Sequence, residues 1–333
     1  MSETVFRLAR FGEDQKIIAF INEHFDMHLP LINLPEFYKH YYVGRNGVPQ
    51  FAIAEQDSEY LSVAGYILAN TSRTPDVWVS VWVAAKGHNG VGLELMNALP
   101  ELTHARVLAC NNIRSNTCTF YQFLGWQAER MHHYYRLKAP GPDGYRLALP
   151  LQPVILPVKG LLSLTKVTDP SELIPLGLPP TVHTPTKDIW YLRRRYFRYP
   201  HLNYDFWKAE LNGKLVCYVV TRTVTAQETG CVPVVRLVDY IGPDEALPLL
   251  GSAFDRLLQS TGAEYIDCYN VGIPPQIWKA AGFCERLPDD GTIIPNYLTP
   301  PLRENTEYYY FTNAPERFVM FKADGDQDRP NLG

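Results

Sequence analysis

The sequence has no apolar run long enough to cross a bilayer. Its most apolar stretch, 149–164, is interrupted by Pro150, Pro153, Pro157 and Lys159. The opening MSETVFRLARFGED has neither an apolar core nor a small-residue cleavage site, so no signal peptide is expected. Charge is also scarce: a net value of -4 excludes binding to nucleic acid by bulk charge. The six cysteines, at 110, 118, 217, 231, 268 and 284, include no Cys-x-x-Cys pair. That excludes a dense disulfide scaffold, argues against a zinc ribbon, and fits reduced, buried thiols in the cytoplasm. A cytoplasmic protein with no membrane, nucleic-acid or metal partner is expected.

What is present is ordinary globular composition over 333 residues, enough for two domains. The 21 tyrosines are a surplus that suits either strands or a site for a flat or sugar-like ligand. Ten of the 27 prolines fall between Pro140 and Pro185, which marks 140–185 as a mostly irregular connector. Val154, Ile155, Leu161, Leu162 and Leu164 predict that it packs on the domains rather than hanging free.

Residues 1–139 read as mixed α/β. A helix starts at Glu13-Asp14, and strands follow at 50–55, 60–69 and 76–84. In the last, the alternation puts Val77, Val79, Val81 and Val83 on one face and Trp78, Ser80 and Trp82 on the other. The loop KGHNGVG (86–92), the helix LELMNAL, a strand at 105–110, a helix ending FYQFLGW and a strand HHYYRLK complete the unit. Residues 186–333 repeat the order: strands at 206–211, 214–223 and 234–241, a helix opening at Pro243, a strand at 264–269, a helix ending IWKAAGF, and two aromatic strands, NTEYYYFT and ERFVMFK. ARVLAC…FYQFLGW matches AEYIDC…IWKAAGF with a one-residue slip, so the chain is expected to be an α/β tandem of two similar mixed-sheet domains.

A strand, a glycine loop and a helix make a phosphate-cradling arrangement, because glycine lets backbone N–H groups converge on an anion. This loop is neither a P-loop nor a dinucleotide turn. With SNTCTFYQFLGW some thirty residues on, it resembles the GNAT superfamily of N-acetyltransferases. The resemblance covers 1–139. It implies that Val83, Ala84, Lys86, His88, Asn89, Gly90, Val91, Gly92, Asn116 and Tyr121 hold acetyl-CoA. The family's Gln/Arg position is Gly87 here, a departure that leaves Lys86 or His88 to supply a donor. It further implies that a backbone N–H near Val83 or Ala84 stabilises the oxyanion and that Tyr121 protonates the leaving thiolate.

The same resemblance places the first helices beside the acceptor, making His24, Asp26 and His28, with Glu55 on its strand, candidates for the general base. The histidine spacing alone does not make a zinc site. Trp82, Arg194, Arg195 and Tyr196 are candidates for holding the acceptor, since RRRYFRYP (193–200) has the arginines and aromatics that clamp a nucleotide diphosphate; a solvated helix face is the competing reading. The second domain has DYIGPDEAL where the glycine loop would be and Trp278 in place of the tyrosine. It reads as a degenerate copy that builds part of the acceptor site or a homodimer surface. The acidic DGDQDRPN (324–331) lacks an EF-hand's spacing and is expected to form a terminal turn.

Through RRRYFRYP and DGDQDRPN the chain also resembles acyltransferase-like proteins of bacterial surface-polysaccharide pathways, which implies an amino-sugar acceptor, nucleotide-linked. Competing expectations are an aminoacyl transferase similar to FemX and a catalytically silent binding protein of the same fold.

Overall fold

Valine- and tyrosine-rich alternation builds the strands, and apolar faces at helical spacing build the helices between them. The computed structural model describes residues 3–25, 28–88, 90–156, 158, 160–227 and 230–330. The order is β1 (Val5–Leu8), α1 (Asp14–His24), α2 (Pro30–Asn33), α3 (Pro35–Tyr42), β2 (Phe51–Gln56), β3 (Glu59–Leu68), β4 (Asp76–Ala84), α4 (Val91–Thr103), β5 (Val107–Ile113), α5 (Cys118–Phe123), β6 (Gln127–Arg130) and β7 (His132–Leu137). Then come β8 (Thr165–Val167), α6 (Leu173–Leu176), α7 (Ile189–Leu192), β9 (Asp205–Leu211), β10 (Lys214–Ala226), β11 (Val232–Ile241), α8 (Gly251–Thr261), β12 (Tyr265–Val271), α9 (Pro275–Ala280), β13 (Cys284–Arg286), β14 (Tyr309–Thr312) and β15 (Met320–Phe321).

The strands form two mixed sheets, ordered β1-β2-β3-β4-β5-β14-β6 and β13-β7-β12-β11-β10-β9-β8. Each has one parallel pair, β4 with β5 and β11 with β12, bridged by α4 and α8 respectively. The two halves trade strands. HHYYRLK does not close the first sheet; as β7 it crosses to lie between β13 and β12, while β14 runs between β5 and β6. Its burial explains the crossing: Tyr134, Tyr135 and Leu137 are all buried, as an interior strand requires. Neither 1–139 nor 186–333 therefore carries a complete sheet.

Three local expectations change. The valines of β4 do not share a face. Between Ala64↔Trp82 and Tyr66↔Val79 only Gly65 of β3 faces both Ser80 and Val81 of β4, a β-bulge. The extra residue inverts the alternation, so Val77 and Val79 pack with Leu95, Met96 and Leu99 of α4, while Val81 and Val83 join Trp78 on the opposite face. The helix expected at Pro243 starts as a 3-10 turn, Asp244–Leu250, because Pro248 has no N–H to donate; α8 begins only at Gly251. In the connector Leu162 is buried, but Val154, Ile155 and Leu161 are exposed.

The tyrosine surplus goes chiefly into a core shared by both halves, where Tyr41, Tyr42 and Trp78 meet Tyr191, Tyr196, Tyr218 and Tyr269. Of the cysteines, only Cys231 is exposed. Among the described residues no helix is long and apolar enough to cross a membrane.

Candidate active site

β4 and β5 begin as neighbours and then part. They pair only through Asp76–Trp78 and Val107–Ala109, after which the edge of β4 that faces β5 has no ladder partner. The gap opens into a cleft of about 780 Å³ lined by Val79–Ala84 of β4 and Cys110–Ile113 of β5. α1 and the segment after it add His24, Phe25 and Leu29, α3 adds Tyr42, and α5 adds Tyr121.

Val83, Ala84 and Trp82, all expected at the site, line the cleft. The glycine loop follows Ala84 directly. Gly90 is the residue before α4 and holds φ 95°, a conformation that L side chains rarely adopt. Gly92 is needed for contact: a Cβ there would lie 3.1 Å from Trp82 and 3.2 Å from Ala84. The loop thus starts the helix against the strand, as an anion-binding turn does. Two details weaken it as a phosphate cradle. Glu94 stands in the first turn of α4, and Lys86 and His88 are exposed outside the cleft lining. Val91 opens α4, and Asn116 is exposed in the turn before α5, between the lining residues Ser115 and Thr117. Asn89 and Asp26 lie outside the described residues.

Tyr121 is fixed from both halves of the chain. Its ring stacks on Phe311 of β14 with centroids 4.0 Å apart and on Trp126 at 6.2 Å. Burial first, then the neighbouring Cys110 and Cys118 thiols, raises its phenol well above the ordinary value, so it stays protonated at any physiological pH. That is the form a proton donor needs.

No local pattern marks the carboxylate in this cleft. As far as Pro330, DGDQDRPN does form turns, but it is no exposed tail: Asp324, Asp326 and Asp328 are all buried. Asp326 lines the cleft and accepts from Ser80 Oγ at 2.7 Å. Since Ser80 gives its proton there, Tyr42 donates to Ser80 across 2.6 Å. Gln327 Nε2 holds the other oxygen at 2.6 Å, and Arg329 lies 3.3 Å away. This segment reaches the cleft because the arginines expected to hold a nucleotide are turned inward. Arg195 is buried and gives its donors to the carbonyls of Ala323 and Asp328 and to Tyr204. Tyr196 is buried and donates to Asp239. Arg222 grips Asp328 at 2.7 Å, and against the opposing cost of burial it holds that carboxyl below the usual range. Lys187 bridges Asp239 and Asp324, 2.6 Å from each. Arg194 lies over Trp190, where burial pushes its guanidinium down to about 10.

Of the candidate bases, His24 lines the cleft, packed edge-on against Phe20. His28 is exposed. Glu55 is held by Arg7 at 2.7 Å and is absent from the cleft lining.

The second parallel pair diverges in the same way, joining only at Val235–Arg236 and Ile266–Asp267. Here the gap is filled. β15 pairs with Asn270 and Val271, and Ala323 N–H bonds the Val238 carbonyl. Asp244 is a carboxylate, which repels an anion, and the Trp278 indole N–H is taken by Asn270, so neither favours an anion here. Among the described residues no His, Cys, Asp and Glu cluster is arranged to hold a metal ion.

No protein-family model matches the chain, and no curated protein matches it in sequence. Solved structures do. A GCN5-related N-acetyltransferase from Anabaena variabilis superposes with a TM-score of 0.55 at 10% identity, over 93% of this chain and 72% of that one. A protein of unknown function from Enterococcus faecalis, described as a probable N-acyltransferase, gives 0.52 at 12% identity over 93% and 72%. The chain has the fold of the GCN5-related N-acetyltransferases.

Proposed function

We propose that the chain transfers the acetyl group of acetyl-CoA to the amine of an amino sugar, by direct attack in the β4/β5 cleft, as a cytoplasmic enzyme. The observation that carries this reading is the parting of β4 from β5, which leaves unpaired backbone facing a cleft that also holds Tyr121 and Asp326. A thioester laid along β4 has its carbonyl oxygen within reach of strand N–H groups that no neighbour uses. Such donors, fixed before the reaction, stabilise the oxyanion that forms as the amine attacks. Asp326 accepts the proton that the acceptor's ammonium loses, and Ser80 and Tyr42 orient it. As the carbon–sulfur bond breaks, the Tyr121 phenol gives its proton to the thiolate, the nitrogen releases its second proton to solvent, and the phenolate takes one back from solvent.

The fit to acetyl-CoA rests on Gly90 and Gly92 and on the buried Trp82 Nε1, a donor beside the loop without a partner among the described residues. The acceptor is read as a sugar amine because its half of the cleft mixes a carboxylate with hydroxyl and amide groups. Nucleotide linkage loses its support, since Arg195 and Tyr196 are sealed in the core.

Calorimetry with acetyl-CoA tests the reading on the whole protein and on Gly90→Trp. One molecule bound per chain, lost in a variant whose thermal midpoint is kept, is the expected result. Absence of binding to the intact protein leaves only the silent-fold and aminoacyl-transfer readings.

A further inference from the structure

A second cavity, of about 500 Å³, lies between the loop joining α3 to β2, the ends of β1 and β3, and α7, and it shares no lining residue with the β4/β5 cleft. Its apolar walls include Leu8, Leu68 and Trp190. Three polar side chains line it with unused hydrogen-bonding capacity among the described residues. Gln50 is only 5% exposed, and its Oε1 has no partner. The Tyr66 phenol has none either; burial pushes it up to about 12, so it remains a neutral donor. Arg45 rests 5.1 Å from the Trp190 ring, which Arg194 meets at the same distance, and it pairs with no carboxylate. No Asp or Glu lines the cavity, and Asp188 at its rim is taken by Thr71.

An apolar pocket of this size with a few convergent polar groups is the usual form of a small-molecule site. Here a guanidinium and a phenol line one cavity with no acid among its lining residues. That donor set matches an anion, and the planar fork of an arginine matches a carboxylate in particular. We propose that this cavity binds a small carboxylate with an apolar body, held by Arg45 and Tyr66 against Trp190, at a site separate from acyl transfer.

Calorimetry with phenylacetate and hexanoate tests it, with phenylacetamide as the uncharged control and phenyl phosphate as the other anion. Expected are one carboxylate bound per chain, binding of phenylacetamide weaker by about tenfold or more, and a loss of about tenfold in Arg45→Gln. Arg45 is exposed, so that variant should fold. Tyr66→Phe should weaken binding less, and neither change should alter acetyl-CoA affinity. Three outcomes overturn the proposal: no binding of either carboxylate at millimolar concentration, binding that Arg45→Gln leaves intact, or binding of phenyl phosphate alone.

Discussion

The two parallel pairs start alike and end differently. In both, two or three residues join and the strands then diverge. Between β4 and β5 the divergence stays open as a cleft; between β11 and β12 the chain's own segment 318–328 fills it. That segment then runs on to place Asp326 in the open cleft. A fold element that parts a sheet thus serves two ends. Where glycines start the next helix, the gap is left for a ligand. Where Pro243, Asp244 and Glu245 start it, no anion is favoured and a peptide occupies the space.

Removing the plug should have the largest effect. A chain ended after Arg317 loses the fully buried Met320 and Phe321, each worth about 2–3 kcal/mol of burial. It also takes Asp328 from Arg222 and two carbonyl acceptors from Arg195 and leaves Lys187 with Asp239 alone, and breaking one buried pair costs about 3–5 kcal/mol. These losses rival the whole stability of a domain. Loss of cooperative unfolding, followed by circular dichroism in urea, is expected. A thermal midpoint near that of the full chain would show that the segment is dispensable and the two gaps are not coupled.

Tyr121→Phe attacks the open gap alone. The phenyl ring keeps the stack on Phe311, so stability and acetyl-CoA affinity should hold. The proton donor is gone, and kcat should fall by about 10²–10⁴. An unchanged kcat would remove Tyr121 from the chemistry.

Asp326→Asn tests whether the plug serves the open cleft. Activity near pH 7 should drop by about ten- to a hundredfold, and the defect should shrink as pH rises toward the amine's own pKa, where no base is needed. A defect that is constant with pH would leave Asp326 a merely structural group.

The mixed sheets and the succession of β4, glycine loop, α4, β5 and α5 were legible because they rest on local signals: alternation, glycine before a helix, and an aromatic ending at Gly125-Trp126. What the sequence hid depends on distance or on single-residue slips. Nothing local marks the exchange of β7 for β14, which is decided by which sheet can bury both faces of a strand. The bulge at Ser80–Val81 comes from one extra residue, and it inverts a face that plain alternation assigns wrongly. Asp326 meets Ser80 across 246 residues. RRRYFRYP looked like a phosphate clamp because composition cannot tell an arginine facing solvent from one whose donors are taken by buried carbonyls.

The smallest effect concerns how well the plug fits its gap. Lys322, next to β15, donates to Asn296 at 2.6 Å and lies over Tyr308. Burial, then repulsion from Arg236, pushes its ammonium down to about 7, against an unfolded value of about 10.4. The unfolded chain therefore binds more protons between these values, and stability should rise with pH from about 7 toward 10. Below that window the charged side chain is a cost to the fold. Lys322→Met removes the titrating group while keeping the stem, so the rise should flatten, and the variant's gain should be larger at pH 6.5 than at pH 9 by about 2 kcal/mol. Urea midpoints at the two pH values decide it. Equal slopes in the two proteins would mean that the ammonium is solvated where it stands, and that the second gap is less tightly closed than its hydrogen bonds imply.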